Sequence, residues 1–272
     1  MTSSLARHRL SSADTGPALR ALAAWTPADA PVGGLHPGDV GWLLRRDDAS
    51  VHLWTDTRNG AASPVAVGFL DGPVLRVTAA PDAGLGALAA DAEDLLTPGN
   101  DWCDGLPVPG WEPDTEEPWV VLSWAPRPVS SRAEAVGEAG AADQVLTLGS
   151  AFEGSTFDLD RLRAMRQSPA GHLAEERLVR TPAGDPAAAA IGWFAGAGRC
   201  GLLEPVGTHP DHRGHGYGRD VVLGTCAALA DRGASAVAVL TPARNEAAVA
   251  LYRSAGFTVV RENHDWTRPG RA

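Results

Sequence analysis

The stretch from Leu202 to Leu229 constrains the fold most. It reads Leu-Leu-Glu-Pro-Val-Gly-Thr-His-Pro-Asp-His-Arg-Gly-His-Gly-Tyr-Gly-Arg, then Asp-Val-Val-Leu-Gly-Thr-Cys-Ala-Ala-Leu. A short apolar run passes into a loop that holds Arg213, Gly214, Gly216 and Gly218. Val221, Val222, Cys226 and Leu229 follow at spacings that share one face of a helix. Strand, glycine loop, helix is an arrangement that makes an anion cradle out of backbone. The first N–H groups of a helix have no partners within it, and the helix dipole favours negative charge there. Glycine lets the backbone approach a phosphate that a Cβ would hold off. The loop is therefore expected to hold a phosphorylated ligand. It is not a P-loop, because no Gly-Lys-Ser/Thr follows. It is not the dinucleotide fingerprint either, because the third glycine comes too soon after the second.

At 272 residues the chain has room for two domains. The net charge of −10 argues against a nucleic-acid partner, which needs a basic surface. It is compatible with a cationic substrate, although acidity also serves solubility. No run approaches the roughly 20 apolar residues of a membrane helix, so no membrane partner is expected. Met1 to Ser12 is polar and reads as a frayed tail rather than a signal peptide. Cys103, Cys200 and Cys226 are far apart and odd in number; they suggest no metal site and no disulfide framework. That pattern suits the reducing cytoplasm. All 23 basic residues are Arg.

Periodicity gives an α+β reading of both halves. In the first, Pro17–Trp25 and Asp39–Arg45 read as helical, and Val51–Asp56, Val65–Leu70 and Val74–Thr78 as strands. Asn59-Gly60 and Asp71-Gly72-Pro73 are turn signals. Leu85–Leu96 reads as a helix, Thr97–Pro118 as a long loop, and Trp119–Trp124 as a strand closing the first sheet. Ala125–Arg132 marks the boundary, dividing the chain into 1–128 and 129–272. In the second half Ala142–Ala151 and Leu159–Gln167 read as helices, the latter capped by Asp158. Leu173–Arg180, Ala187–Ala195 and Leu202–Thr208 read as strands. After the glycine-loop helix come the strand Ala236–Thr241, a helix from Asn245 stopped at Gly256, and a final strand Phe257–Trp266.

Two motifs carry a family resemblance. Arg213-x-x-Gly216-x-Gly218 resembles the acyl-CoA pyrophosphate loop of the GNAT N-acyltransferases. Asn245-x-x-Ala248-x-x-x-Tyr252-x-x-x-Gly256-Phe257 resembles their second diagnostic block, at the expected distance across one helix and one strand. The resemblance implies two GNAT-like domains, each a mixed, mostly antiparallel sheet flanked by helices, in a tandem layout similar to that of mycothiol synthase. The first is degenerate: Ala80-Pro81-Asp82-Ala83-Gly84-Leu85-Gly86 stands where the second has its loop.

The resemblance also implies roles. Val206, Gly207 and Thr208 would bond the pantetheine arm of acetyl-CoA through their backbone, and Arg213, Gly214, His215, Gly216, Tyr217, Gly218 and Arg219 would wrap its pyrophosphate. Asn245 would contact the pantetheine or hold the facing loop. Tyr252 would protonate the leaving thiolate; the plain alternative is a core tyrosine. Glu204, two residues before Val206 on one strand face, is the candidate base, with a buried ion pair or an N–H acceptor as its alternative. His209 and His212 border the loop as further candidates; His172 and Asp158 are weaker. No nucleophile elbow and no placed cysteine suggest a covalent intermediate. The expected activity is acetyl-CoA-dependent N-acetylation of a primary amine on a small molecule, by direct attack and without a metal. A non-catalytic acyl-CoA-binding or regulatory protein is the alternative. Phe152–Gln167, with the Trp102–Trp111 loop, would shape the acceptor pocket.

Overall fold

The computed structural model describes residues 5–30, 34–57, 61–97 and 99–269. The elements of the first half are β1 (Leu5–Leu10), α1 (Gly16–Trp25), α2 (Pro37–Leu43), β2 (Val51–Asp56), β3 (Ser63–Asp71), β4 (Val74–Ala79), α3 (Leu85–Ala92), β5 (Trp102–Asp104), β6 (Glu112–Pro113) and β7 (Trp119–Trp124). The second half adds β8 (Glu134–Ala135), α4 (Ala141–Ala151), α5 (Leu159–Gln167), β9 (Ala174–Arg180), β10 (Pro186–Trp193), β11 (Cys200–Thr208), α6 (Tyr217–Asp231), β12 (Ala236–Pro242), α7 (Glu246–Ser254), β13 (Thr258–Asn263) and β14 (Trp266–Thr267). The Asn59-Gly60 turn signal lies outside the described residues.

Two seven-stranded sheets result, in the orders β1-β2-β3-β4-β5-β14-β6 and β8-β9-β10-β11-β12-β7-β13. Each contains one parallel pair, β4 with β5 and β11 with β12, and is otherwise antiparallel. The sheets therefore repeat one another strand for strand, as expected of a degenerate first copy.

The repeat has an exchange built into it. Strand β7 inserts between β12 and β13 of the second sheet, with Leu122 opposite both Val239 and Val259. Strand β14 inserts between β5 and β6 of the first, with Trp266 opposite Cys103 and Pro113. Trp119–Trp124 thus serves the second sheet, not the first, and Phe257–Trp266 is two strands in two sheets. Apolar β-rich composition announces a strand but not its partner. The burial of Val121 and Leu122 fits their central place.

Two further expectations are corrected. Leu5–Leu10 is an edge strand paired in full with β2, although its polar sequence reads as a tail. The Thr97–Pro118 segment is not one continuous loop. It supplies β5 and β6 and buries Leu106, Val108 and Trp111 against Leu75 and Leu88.

The two halves share one core. Leu22 of α1, Val40 of α2 and Phe69 of β3 pack in the same cluster as Leu148 of α4, Leu162 of α5 and Trp193 of β10. Full burial of an aromatic of that size contributes roughly 4–6 kcal/mol from area removed from water, as an upper estimate. The contact is close because α2 offers glycines: a Cβ at Gly38 or Gly41 would lie 2.4 Å from Trp193 atoms. His36 fixes the start of α2. Its Nδ1 accepts from Gly38 N–H (2.9 Å), Asp39 Oδ2 accepts from His36 N–H (2.6 Å), and His36 Nε2 meets the Cys200 carbonyl (3.0 Å). This capping box ties α2 to the first residue of β11.

Candidate active site

Strands β11 and β12 pair only from Cys200–Leu202 against Ala236–Ala238. Beyond Leu202 they separate, and the edge of β11 that faces β12 is left without a strand partner. Its other edge stays bonded to β10, with Val206, Gly207 and Thr208 opposite Ala190, Ala189 and Ala188. Between Leu203 and Val206 the register gains one residue on β11, a bulge at Glu204 and Pro205 that re-aims side chains beside the opening. Gly207 allows helix α4 to come close: a Cβ there would meet Ala151 at 2.7 Å.

The separation opens a cleft of about 490 Å³. Glu204, Pro205 and Val206 form one wall and residues 239–242 the other, with Asn245 and Tyr252 between them. Phe152, Phe157 and Arg161 come from the α4–α5 region. Trp42 and Arg45, from the end of α2 in the first half, complete it. The Trp102–Trp111 segment does not line it.

The glycine loop leads from β11 into α6. Gly214 and Gly216 have φ of +80° and +81°, where an L side chain is strained, and a Cβ at either would point into open space. Among the described residues, the backbone N–H groups of 214–219 donate to no protein acceptor; the first helical bond runs from Asp220 N–H to Gly216 C=O. Six free donors at a helix start, on an exposed loop, are the arrangement that can take up an anion. Gly218 is buried, and a Cβ there would lie 2.7 Å from Thr208 Oγ1. The side chains brace the loop rather than fill it. Arg213 donates to the carbonyls of Ala151 (3.2 Å) and Thr208 (3.4 Å), and Arg219 to that of Ser254 (2.9 Å). His215 Nδ1 lies 2.8 Å from the Arg213 carbonyl, and its ring stacks on Tyr217 at 6.1 Å. Val221, Val222, Cys226 and Leu229 are all fully buried on the inner face of α6.

Asn245 caps α7, its side chain accepting from Ala248 N–H at 3.2 Å. It therefore fixes the helix that carries Tyr252. Tyr252 is buried, its ring 5.7 Å from Phe257. Burial raises its phenol well above the ordinary value, with the Glu204 carboxylate adding to the rise. Its hydroxyl has no hydrogen-bond partner among the described residues. It is both a core side chain and a cleft side chain.

Glu204 sits where two cavities meet. A second space of about 200 Å³ lies on its other side, lined by Asp39, Asp71, Arg76, Asp104 and Asp265. Burial first, and then the Asp39 carboxylate, push the Glu204 carboxyl up to about 8 against the opposing pull of Arg76. Glu204 shares a hydrogen bond with Asp39, which also caps α2 through His36 N–H and pairs with Arg76 Nη1 at 2.8 Å. Arg76 also reaches Asp104 at 3.4 Å. Glu204 is thus not itself the ion-pair partner of Arg76; Asp39 is. Trp193 Nε1 donates to the Glu204 carbonyl at 2.6 Å and fixes its backbone.

The remaining candidates have local tasks. His209 accepts from Asp211 N–H (3.3 Å), Asp158 caps α5 by accepting from Arg161 N–H (2.9 Å), and the His172 carbonyl accepts from Arg232. His212 packs on His209 at 5.4 Å. Sequence reasoning missed Asp39, Arg76, Trp42 and Arg45. The capping-box spacing of His36 and Asp39 was the one local signal, and it spoke of a helix start, not of a site.

The site thus combines a splayed strand pair, a helix start with free N–H groups, and Glu204 and Tyr252 in the opening between them. Residues 146–257 match the model of the acetyltransferase (GNAT) family. A tandem GNAT protein from the clavulanic acid biosynthesis pathway shares the fold across both halves. It is 18% identical, with a TM-score of 0.60 over 97% of this chain and 98% of that one. An acetyltransferase of the GNAT family from Colwellia psychrerythraea is 12% identical, with a TM-score of 0.54 over 96% of this chain and 98% of that one. A GCN5-related N-acetyltransferase from Sphaerobacter thermophilus is 18% identical, with a TM-score of 0.50 over 97% and 94%. No curated protein matches the sequence. No helix among the described residues is long and apolar enough to cross a membrane.

Proposed function

We propose that this chain is a cytoplasmic, acetyl-CoA-dependent N-acetyltransferase that acylates a primary amine on a small molecule. One observation carries the reading: the splay of β11 from β12 opens a single cleft onto a free strand edge, Glu204 and Tyr252, beside six unpaired loop N–H groups. In this reading the pyrophosphate of acetyl-CoA rests on the N–H groups of 214–219. The pantetheine follows the backbone of Val206–Thr208, and the thioester reaches the space between Glu204 and Tyr252.

The chemistry needs a neutral amine, a stabilised oxyanion and a protonated leaving group. Glu204 takes a proton from the ammonium group. The freed nitrogen attacks the thioester carbonyl carbon and forms a tetrahedral intermediate. Collapse breaks the C–S bond, the departing thiolate takes a proton from Tyr252, and the second proton of the attacking nitrogen passes to the Tyr252 phenolate, leaving a neutral amide and the CoA thiol. A carboxylate lifted to about 8 suits this task, because a base works best with a proton affinity near the working pH. Tyr252 remains protonated throughout that range and so enters the reaction as a donor.

Thiol release from acetyl-CoA against a panel of primary amines tests the proposal. Tyr252→Phe should lower kcat by about 10²–10⁴, the usual worth of a placed proton donor, with CoA affinity retained. Tight CoA binding without turnover of any amine would instead favour a non-catalytic acyl-CoA-binding protein.

A further inference from the structure

We infer that the acceptor amine is an amino acid whose free carboxylate is held by Arg45 and Arg161 in the cleft that contains Glu204. This rests on the acetyl transfer proposed above and names its substrate class.

The chain has 33 acidic residues and 23 arginines, so carboxylate partners are plentiful. Arg76, Arg166, Arg177, Arg180 and Arg232 each meet one within 3.2 Å. Among the described residues, Arg45 and Arg161 meet none, and both line the cleft. Neither is loose. The Arg45 guanidinium carbon lies 3.9 Å from the Trp42 ring centroid, and Trp42 packs on Phe157 at 5.0 Å. Arg45 Nη1 donates to the Trp42 carbonyl, and Arg161 Nη1 to Thr156 Oγ1, itself a cleft residue. A guanidinium has five donors, so each retains several for a ligand.

The two cations also oppose one another. Burial, with a smaller push from Arg161, lowers Arg45 to about 10 against the opposing pull of the Glu204 carboxylate. A desolvated guanidinium without a counter-ion is costly unless a ligand supplies one. Its planar fork matches a carboxylate in two parallel hydrogen bonds. Arg45 is close enough to Glu204 for the two to act on each other, so the anion and the reacting amine belong on one small molecule. A second ammonium at that end, as in a diamine, would meet two positive charges. Trp42 and Phe157 add an apolar wall for a side chain.

The test is acetyl-CoA turnover with matched acceptors: phenylalanine, phenylalaninamide, phenethylamine and an aminoalkyl phosphate. Charge-assisted hydrogen bonds to a partly buried arginine pair should make kcat/KM for phenylalanine about 10- to 100-fold higher than for its amide. Arg161→Gln and the charge-keeping Arg45→Lys should each shrink that ratio, mainly through KM. Their melting temperatures check that they fold. Turnover of the amide or phenethylamine at the same or higher kcat/KM would overturn the carboxylate site while leaving the transferase intact. Preference for the aminoalkyl phosphate would overturn the carboxylate assignment in favour of a phosphate. No turnover of any acceptor would sink the transferase reading itself, and the acceptor site with it.

Discussion

Replacing Glu204 by Gln separates the chemistry of this carboxyl from its effect on folding. Gln has the shape of the protonated acid and can still donate to Asp39. As general base, Glu204 is worth about 10²–10⁴ in rate, or roughly 3–5 kcal/mol of barrier. The ascending limb of kcat/KM against pH, which in the native protein reports a carboxyl titrating near 8, should disappear in the variant. An acceptor amine of low basicity keeps its own titration out of that window. Stability moves the other way. The folded-state affinity of Glu204 for its proton is raised, so the folded protein holds that proton where the unfolded chain has released it. Native stability therefore falls as pH rises from about 4.5 through about 8, and the loss is complete above that window. Each tenfold in proton affinity is worth about 1.36 kcal/mol, and two cavities bring water to the carboxyl, so a cost of a few kcal/mol is expected. Glu204→Gln should thus melt above the native protein at pH 8.5, by roughly 2–4 °C per kcal/mol, with the gap closing toward pH 4.5. Scanning calorimetry and initial rates across pH 5–9 measure both. An inactive variant that is also less stable at pH 8.5 would refute the reasoning, because Glu204 would then be a structural partner and not a strained base.

Three further outcomes follow from the packing. Gly218→Ala puts a Cβ 2.7 Å from Thr208 Oγ1 at the start of α6. It should weaken CoA binding by titration calorimetry and cost about 1–3 kcal/mol of stability, whereas unchanged CoA affinity would count against the loop as cradle. Gly38→Ala drives a Cβ to 2.4 Å from Trp193. It should cost at least about 1–3 kcal/mol in denaturant unfolding, and a neutral result would mean that the two halves do not share a packed core. Deleting residues 264–272 removes β14, which bonds to both β5 and β6. Amide exchange should speed up around Cys103 and Glu112 while β9–β12 keep their protection; uniform loosening would contradict the strand exchange.

The sequence by itself determined what is local. Periodicity placed α1, α4, α5, α6 and most strands, because each carries its own apolar face. The glycine loop was legible because a left-handed backbone at Gly214 and Gly216 leaves a glycine signature. Asn245 and Tyr252 stood out only because the motif that holds them resembles a GNAT block. Only the tertiary structure decided which sheet a strand joins, since Val120, Val121 and Leu122 would suit either, and hydrogen-bond partners far along the chain leave no local pattern. The same holds for the surroundings of Glu204. Asp39 and Arg76 come from the half that has lost its own glycine loop, and packing of Gly38 and Gly41 on Trp193 brings them there. A carboxylate's proton affinity is set by the charges and the dielectric around it, and those exist only once the two halves have closed on each other.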